Sequence, residues 1–394
     1  MKSIKDINFK GKRVLLRVDF NVPLNENRQI TDDTRIMESL PTIKKLVADG
    51  AKTILIAHLG RPKGFDEKYS LQPVADYLKP LLGKIHFLSE LLDDKVLDMV
   101  NNLQEGEIML LENIRFYSEE TKGDEAFAQR LAKLGDCYIN DAFGSSHRNH
   151  VSTCTLAKFF PDNKYFGFLM EYEVTNLKKL MQNPKKPFTS VIGGSKISSK
   201  INILKSLLSI SNNILIGGGM VFTFLKAQGK HIGNSLCEDD CLEIANDFLR
   251  TAQEKGVKIY LPADIVIADR FANDADRLTV SADAIPDNRM GMDIGERSAV
   301  IFWEVLLQSK TILWNGPMGV FEMSNFAAGT KAIAEATAAA TDRGAFSTVG
   351  GGDSVAAINM FNLGNRVSFV STGGGAMLEY IENGTLPGID AVIR

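Results

Sequence analysis

Short apolar runs alternate along the chain with longer stretches whose apolar positions recur every three or four residues. The runs are Val14–Val18, Thr53–Ala57, Ile108–Glu112 and Cys137–Asn140, then Ser190–Gly193, Asn213–Gly217, Lys258–Pro262, Thr311–Trp314, Phe346–Val349 and Val367–Ser371. They are rich in β-branched residues and lack strict polar alternation, as expected of strands buried on both faces of a parallel sheet. Between them, Ile36, Leu40, Ile43 and Val47 keep helical spacing, and Gly50 is placed to cap the end. Cys241–Lys255, with Gly256 just beyond, and the alanine-rich Ala332–Ala340 also predict helices. A β-α-β-α alternation sustained over the chain predicts an α/β fold of doubly wound, Rossmann-like parallel sheets.

Length divides that pattern in two. A chain of 394 residues exceeds the roughly 250–300 that one core supports. The stretch Met170–Pro187 starts with helical character and ends in two prolines among lysines, with strand–helix alternation on either side. It predicts an N-terminal domain over 1–170 and a C-terminal domain over 171–382, joined by a helix and hinge. A net charge of -3 argues against a general nucleic-acid or anionic-membrane binder. The first residues lack the apolar core and cleavage site of a signal peptide. Ile214–Leu225, the most apolar stretch, is broken by glycines and falls short of the roughly 20 residues that span a bilayer. The expected location is cytoplasmic, with Cys137, Cys154, Cys237 and Cys241 as free thiols. Cys237 and Cys241 are one helical turn apart, but no second cluster completes a metal site, so they read as a helix pair.

Open α/β sheets bind ligands beyond the carboxyl ends of their strands, and here the two halves differ. In the first half the strands carry or precede cations and polar groups: Arg17, Asp19 and Asn21; His58 and Arg61; Asn113 and Arg115; Asp141, His147 and Arg148; with Arg35 at the start of the first helix. Five arginines gathered on one edge would form a site for a small polyanion, because guanidinium pairs bidentately with carboxylate and phosphate. In the second half the strands are followed by glycines: Gly193–Lys196, Gly217–Met220, Asn315–Gly319, Gly350–Asp353 and Thr372–Gly375. Glycine lets backbone amides approach a ligand, and a following helix N-terminus favours phosphate. Lys196 and Lys200 add point charges, so this half reads as a nucleotide site. Asp353 ends a glycine run. A carboxylate there either caps the helix or meets the phosphates through a cation, and magnesium is the preferred reading.

Rival chemistries lack their motifs. A nicotinamide-dependent oxidoreductase needs G-x-G-x-x-G, but the third glycine is replaced by Phe222, Val355 and Leu378 in the three partial matches. A Walker A loop is also absent. A two-lobed anion-binding protein without catalysis would explain the arginines but not the glycine junctions or Asp353.

Taken together, RVDFNVPL (Arg17–Leu24), HLGRPKG (His58–Gly64), LLENIRF (Leu110–Phe116), NDAFGSSHR (Asn140–Arg148), GGSKISSK (Gly193–Lys200), WNGPMGVFE (Trp314–Glu322), STVGGGDS (Ser347–Ser354) and STGGGA (Ser371–Ala376) resemble the motifs of phosphoglycerate kinases, in the family's order. Ser146 and Ser195 stand where alanine is more familiar. The resemblance implies reversible phosphoryl transfer from 1,3-bisphosphoglycerate to ADP with magnesium, giving 3-phosphoglycerate and ATP, by a monomer whose last residues, 383–394, return to the first domain. It also implies that Asp19, Asn21, Arg35, His58, Arg61, Arg115 and Arg148 contact the phosphoglycerate. Lys196, Lys200, Gly217, Gly218, Asn315, Glu322, Gly351, Gly352, Asp353 and Ser354 would contact the nucleotide, with Asp353 next to the metal. An acyl phosphate needs no general base, so catalysis should be positioning and charge stabilisation, with Arg35, Lys200 and the amides of Gly373, Gly374 and Gly375 as its agents.

Overall fold

All ten apolar runs overlap a strand. The computed structural model describes residues 2–90 and 95–394. Two units divide the chain, Met1–Thr175 with Thr385–Arg394, and Asn176–Gly384. The first break falls inside the helix Phe168–Met181.

Unit 1 contains β1 (Arg13–Val18), β2 (Lys52–Ile56), β3 (Ile85–Leu88), β4 (Ile108–Leu111), β5 (Cys137–Asp141) and β6 (Lys164–Phe166). They form one parallel sheet in the order β3-β4-β2-β1-β5-β6. Burial of Leu16, Val18, Leu55, Leu110 and Ile139 against Ile36, Leu40 and Ile43 seats the helix Thr34–Asp49 on the sheet. That helix ends where expected: Gly50 takes a left-handed φ of 80° and its N–H closes the last turn.

Unit 2 contains β7 (Phe188–Ile192), β8 (Asn213–Ile216), β9 (His231–Ile232), β10 (Lys258–Tyr260), β11 (Asp264–Ala268), β12 (Arg277–Ser281), β13 (Ala284–Ile285), β14 (Met290–Ile294), β15 (Thr311–Asn315), β16 (Phe346–Val349) and β17 (Phe369–Val370). Six of these make a second parallel sheet, β10-β8-β7-β15-β16-β17. Its core gathers Val191, Leu215, Ile312 and Trp314 against Phe302 and Ile333. A small antiparallel sheet, β12-β11-β14, and the pair β13-β9 stand beside it.

Strands β3, β6 and the side sheet were not legible as apolar runs. Two are short, and β12 (RLTVS) is largely exposed and polar. Cys241 closes a 3-10 turn before the helix Leu242–Glu254, and Cys237 lies outside any helix, with Sγ 3.4 Å from Asp239 Oδ1. The expected helix pair is therefore not formed. Among the described residues no helix is long and apolar enough to cross a membrane.

Candidate active site

Both parallel sheets have the same switch point. In unit 1 the order reverses between β1 and β5, and in unit 2 between β7 and β15. Crevices open at such points, beyond the carboxyl ends of the strands. The sequence-predicted residues follow the carboxyl ends of these strands and of their neighbours β2, β4, β8, β16 and β17, with Arg35 in the helix Thr34–Asp49.

In unit 1, Asp19 follows β1 and is buried, and its Oδ2 accepts from Arg35 Nη1 at 2.9 Å. This pairing aims a guanidinium that is still one-third exposed. Asn21 Oδ1 accepts from the Gly60 amide at 2.8 Å, and Arg115 Nη1 donates to the Gly60 carbonyl at 2.8 Å. The turn after β2 is thus tied to the ends of β1 and β4. Its left-handed Gly60 packs under Tyr69, whose ring leaves no room for a Cβ. Burial, then the neighbouring Arg17, lowers the Arg115 pKa to about 10, and the charge of Arg148 adds to this. Arg61 and Arg148 are exposed, and among the described residues neither guanidinium makes a hydrogen bond. Asp19 and Glu120 offset only part of the charge of these crowded cations, an arrangement suited to an anion.

Two predicted members behave differently. Arg17 is 1% exposed and spends its donors inside the protein: Nε to Ser152 Oγ at 2.8 Å, Nη1 to the Val18 carbonyl and Nη2 to His58 Nδ1 at 3.0 Å. It is a supporting residue rather than a fifth ligand. His58 is buried, and desolvation plus the charges of Arg17, Arg115 and Arg35 hold its pKa well below the usual value. It is a neutral imidazole. Sequence reasoning missed His150, pushed down to about 4 by burial and by Arg115 and Arg17, and Glu120, a fully buried carboxyl. Burial raises the Glu120 pKa, while Arg17 and Ser152 pull it back.

In unit 2 the switch point is tightly closed. A Cβ on Gly193 would stand 1.9 Å from the Pro317 carbonyl oxygen, so only glycine lets the turns after β7 and β15 cross. Lys196 is exposed. Lys196 and Lys200 precede the helix Ile201–Leu207 rather than ride on it. Lys200 Nζ donates to Asn315 Oδ1 at 2.5 Å, and Asn315 Nδ2 donates to the Gly350 carbonyl at 2.6 Å. Burial lowers the Lys200 pKa, and the Asp353 charge opposes that shift. Gly351, with φ 95°, precedes the helix Gly352–Met360 and lies against Asn315. Ser354 is buried and accepts from the Gly316 amide. Gly373 donates to Ser371 Oγ at 3.1 Å, and Gly374, with φ 52°, precedes the helix Gly375–Asn383.

A cavity of about 340 Å³ brings Gly194, Gly218, Glu322 and Asp353 together, with apolar walls that include Leu236 and Val320. Lys196, Lys200, Gly217, Asn315, Gly351, Gly352 and Ser354 lie outside its lining. Gly217 instead packs against Met318, where a Cβ would meet Sδ at 2.3 Å. The cavity also contains Asp293, raised to about 7 by burial, which no pattern in the sequence singles out. Asp353 is exposed, and among the described residues its carboxylate makes no hydrogen bond. It is a hard oxygen donor with its coordination free, as a magnesium site with phosphate ligands requires.

The geometry agrees with the chain's relatives. The family model described as phosphoglycerate kinase matches residues 4–384. The phosphoglycerate kinase of Porphyromonas gingivalis is 49% identical over 415 residues, covering 99% of each chain. A cytosolic phosphoglycerate kinase of Arabidopsis thaliana is 50% identical over 391 residues, covering 99% of this chain and 97% of its own. Among solved structures, the Coxiella burnetii phosphoglycerate kinase superposes with a TM-score of 0.90 at 39% identity, over 99% of this chain and 98% of that one. The Pyrococcus horikoshii enzyme gives 0.85 at 30% identity, over 100% and 98%. With one unit carrying a cation cluster, the other a glycine-walled cavity, and relatives matching from end to end, the chain belongs to the phosphoglycerate kinase family and is a phosphotransferase with a carboxyl group as acceptor.

Proposed function

We propose that the chain transfers a phosphoryl group reversibly from 1,3-bisphosphoglycerate to magnesium-bound ADP, with the phosphoglycerate on unit 1 and the nucleotide on unit 2. The carrying observation is the division of chemistry: paired and solvent-facing guanidinium groups beyond β1, β2 and β4, against glycine junctions, Lys200 and Asp353 beyond the unit 2 strands. Asp19, Asn21, Arg35, His58, Arg61, Arg115 and Arg148 bind the phosphoglycerate. Lys196, Lys200, Gly217, Gly218, Asn315, Glu322 and the 351–354 turn bind the nucleotide, and Asp353 holds the magnesium. That ion, when bound, screens the charge of the nucleotide phosphates.

Arg35, aimed by Asp19, and Lys200, aimed by Asn315, neutralise charge on the phosphoryl group in flight, helped by the amides of Gly373, Gly374 and Gly375. The leaving carboxylate and the attacking ADP oxygen are both anionic, so no general base takes part. Transfer follows closure of the two units, which excludes water. Every proposed contact comes from one chain, so a monomer suffices. The cytosolic naming of the Arabidopsis relative supports a cytoplasmic setting.

The test is 3-phosphoglycerate and MgATP with protein, glyceraldehyde-3-phosphate dehydrogenase and NADH, run beside Arg35→Ala. Loss of NADH absorbance with wild type, and its collapse in the variant, is expected. Full activity in Arg35→Ala would overturn the role given to Arg35. An inactive, folded, nucleotide-binding wild type would overturn the reaction.

A further inference from the structure

A buried chain of hydrogen bonds runs from Glu120 to His58 behind the anion site. Glu120 sits in the short helix Ser118–Lys122 and is 0% exposed. Its Oε2 accepts from the Ser152 amide at 2.9 Å and its Oε1 from Ser152 Oγ at 2.7 Å. The Ser152 hydroxyl proton is thereby committed to Glu120, and its lone pairs face Arg17 Nε at 2.8 Å. Arg17 then reaches His58 Nδ1 through Nη2 at 3.0 Å. Tyr138 donates to the Ser152 carbonyl at 2.7 Å and fixes the segment from its other side.

We propose that Glu120 and Ser152 are positioning residues that act through Arg17 to lock His58 as an Nε2–H donor for an anionic oxygen of the substrate.

The direction of each bond is forced by chemistry. A guanidinium has donors and no acceptor, so His58 Nδ1 must accept. A neutral imidazole with an accepting Nδ1 carries its proton on Nε2. The cations facing His58 are Arg17, Arg115 and Arg35, and His150 is also close. They exclude a second proton on the ring, so the locked tautomer is neutral. The opposite tautomer would turn a lone pair towards the bound anion. Arg17 is held in register by Ser152 Oγ, which accepts from its Nε, together with the Val18 carbonyl, which accepts from its Nη1, and Glu120 orients the Ser152 hydroxyl by accepting its proton. Glutamine at 120 would present an amide donor where two acceptors are needed. The inference rests on the anion-site reading above, but its first readout does not.

The experiment is long-range proton–nitrogen NMR of the imidazoles in ¹⁵N-labelled full-length protein, without substrate, at neutral pH. His58→Gln assigns the signal. Wild type should show His58 as a single neutral Nε2–H tautomer. Glu120→Gln and Ser152→Ala should show mixed tautomers, and KM for 3-phosphoglycerate should rise on the order of tenfold while KM for MgATP stays. Ser152→Ala keeps the backbone bond to Glu120, so it serves if the Glu120 variant fails to fold, and Ser152→Thr should restore both readouts. A cationic or Nδ1–H His58 in wild type, or variants with unchanged tautomer, would overturn the relay. A changed tautomer with unchanged KM would overturn the proposal at the anion-site reading instead.

Discussion

Lys200 and Asn315 lie 115 residues apart in the chain and meet at 2.5 Å. An ammonium that is half-buried, with one fixed oxygen acceptor, keeps donors free for phosphate oxygens. Removing a preorganised charge of this kind costs about 10²–10³ in kcat when the charge acts chiefly in the transition state. Lys200→Ala should therefore lower kcat by about that factor and leave KM for 3-phosphoglycerate unchanged, measured by steady-state kinetics in both directions. A variant with normal kcat and weakened nucleotide binding would reduce Lys200 to a ground-state contact. The residue types at both sites were legible because charge and glycine are local facts of sequence. Burial was not: Arg17 looks like Arg115 on the page, yet the Glu120 and Ser152 segments bury it. Ser146, unfamiliar at its position, donates to the Ala142 carbonyl at 2.9 Å and accepts from Asn140 at 3.2 Å, so its hydroxyl is absorbed by local bonds.

At the scale of elements, each unit starts a helix with a buried aspartate. Asp141, at the end of β5, accepts from the Met170 amide at 3.1 Å in the first turn of the helix Phe168–Met181. Asp293, in β14, accepts from the Gly329 amide at 2.8 Å in the first turn of the helix Ala328–Asp342. Helix N-termini favour a negative charge, but burial wins here and lifts both pKa values to about 7. An unfolded aspartate titrates near 3.9, so between about 4 and 7 the folded state holds protons that the unfolded chain has released. Stability therefore falls as pH rises through that window and levels off above it. Each group contributes about 1.4 kcal/mol for every pH unit between its unfolded and folded pKa. Asp141→Asn and Asp293→Asn keep an acceptor oxygen without the charge. Urea unfolding from pH 4 to 8 should lose its downward slope progressively in the single and double variants. An unchanged slope in the double variant would place the pH dependence elsewhere. These caps were invisible in the sequence because Asp141 was read as a strand-end candidate for ligand chemistry and Asp293 falls in a side sheet that carries no long apolar run. The main strands were legible for the opposite reason: burial on both faces leaves continuous apolar stretches.

The whole molecule is threaded so that its first unit is finished last. The chain leaves unit 1 at Thr175 and returns at Thr385. There the helix Pro387–Ile393 buries Ile389 and Val392, with Leu386 just before it. The Gly388 amide donates to the Ser146 carbonyl at 2.8 Å, and Lys164 Nζ donates to the Ala391 carbonyl at 2.8 Å. Glycine is required at 388, because a Cβ would stand 2.9 Å from that of Ser146. Nothing in the periodicity of Thr385–Arg394 says where it docks, since an amphipathic segment carries no address; only the resemblance implied a return. Three apolar side chains at about 1.5–3 kcal/mol each are a large share of the 5–15 kcal/mol that holds a typical domain together. A chain ending at Gly384 should therefore lose thermal stability selectively in unit 1. Calorimetry should show an early transition absent from the full chain. MgATP should still raise the later transition, because the residues proposed to hold it lie in unit 2. Adding the peptide 385–394 in trans should move the early transition back towards its full-length position. A truncated chain that melted like the full one would mean that the returning helix is carried by unit 1 rather than needed by it.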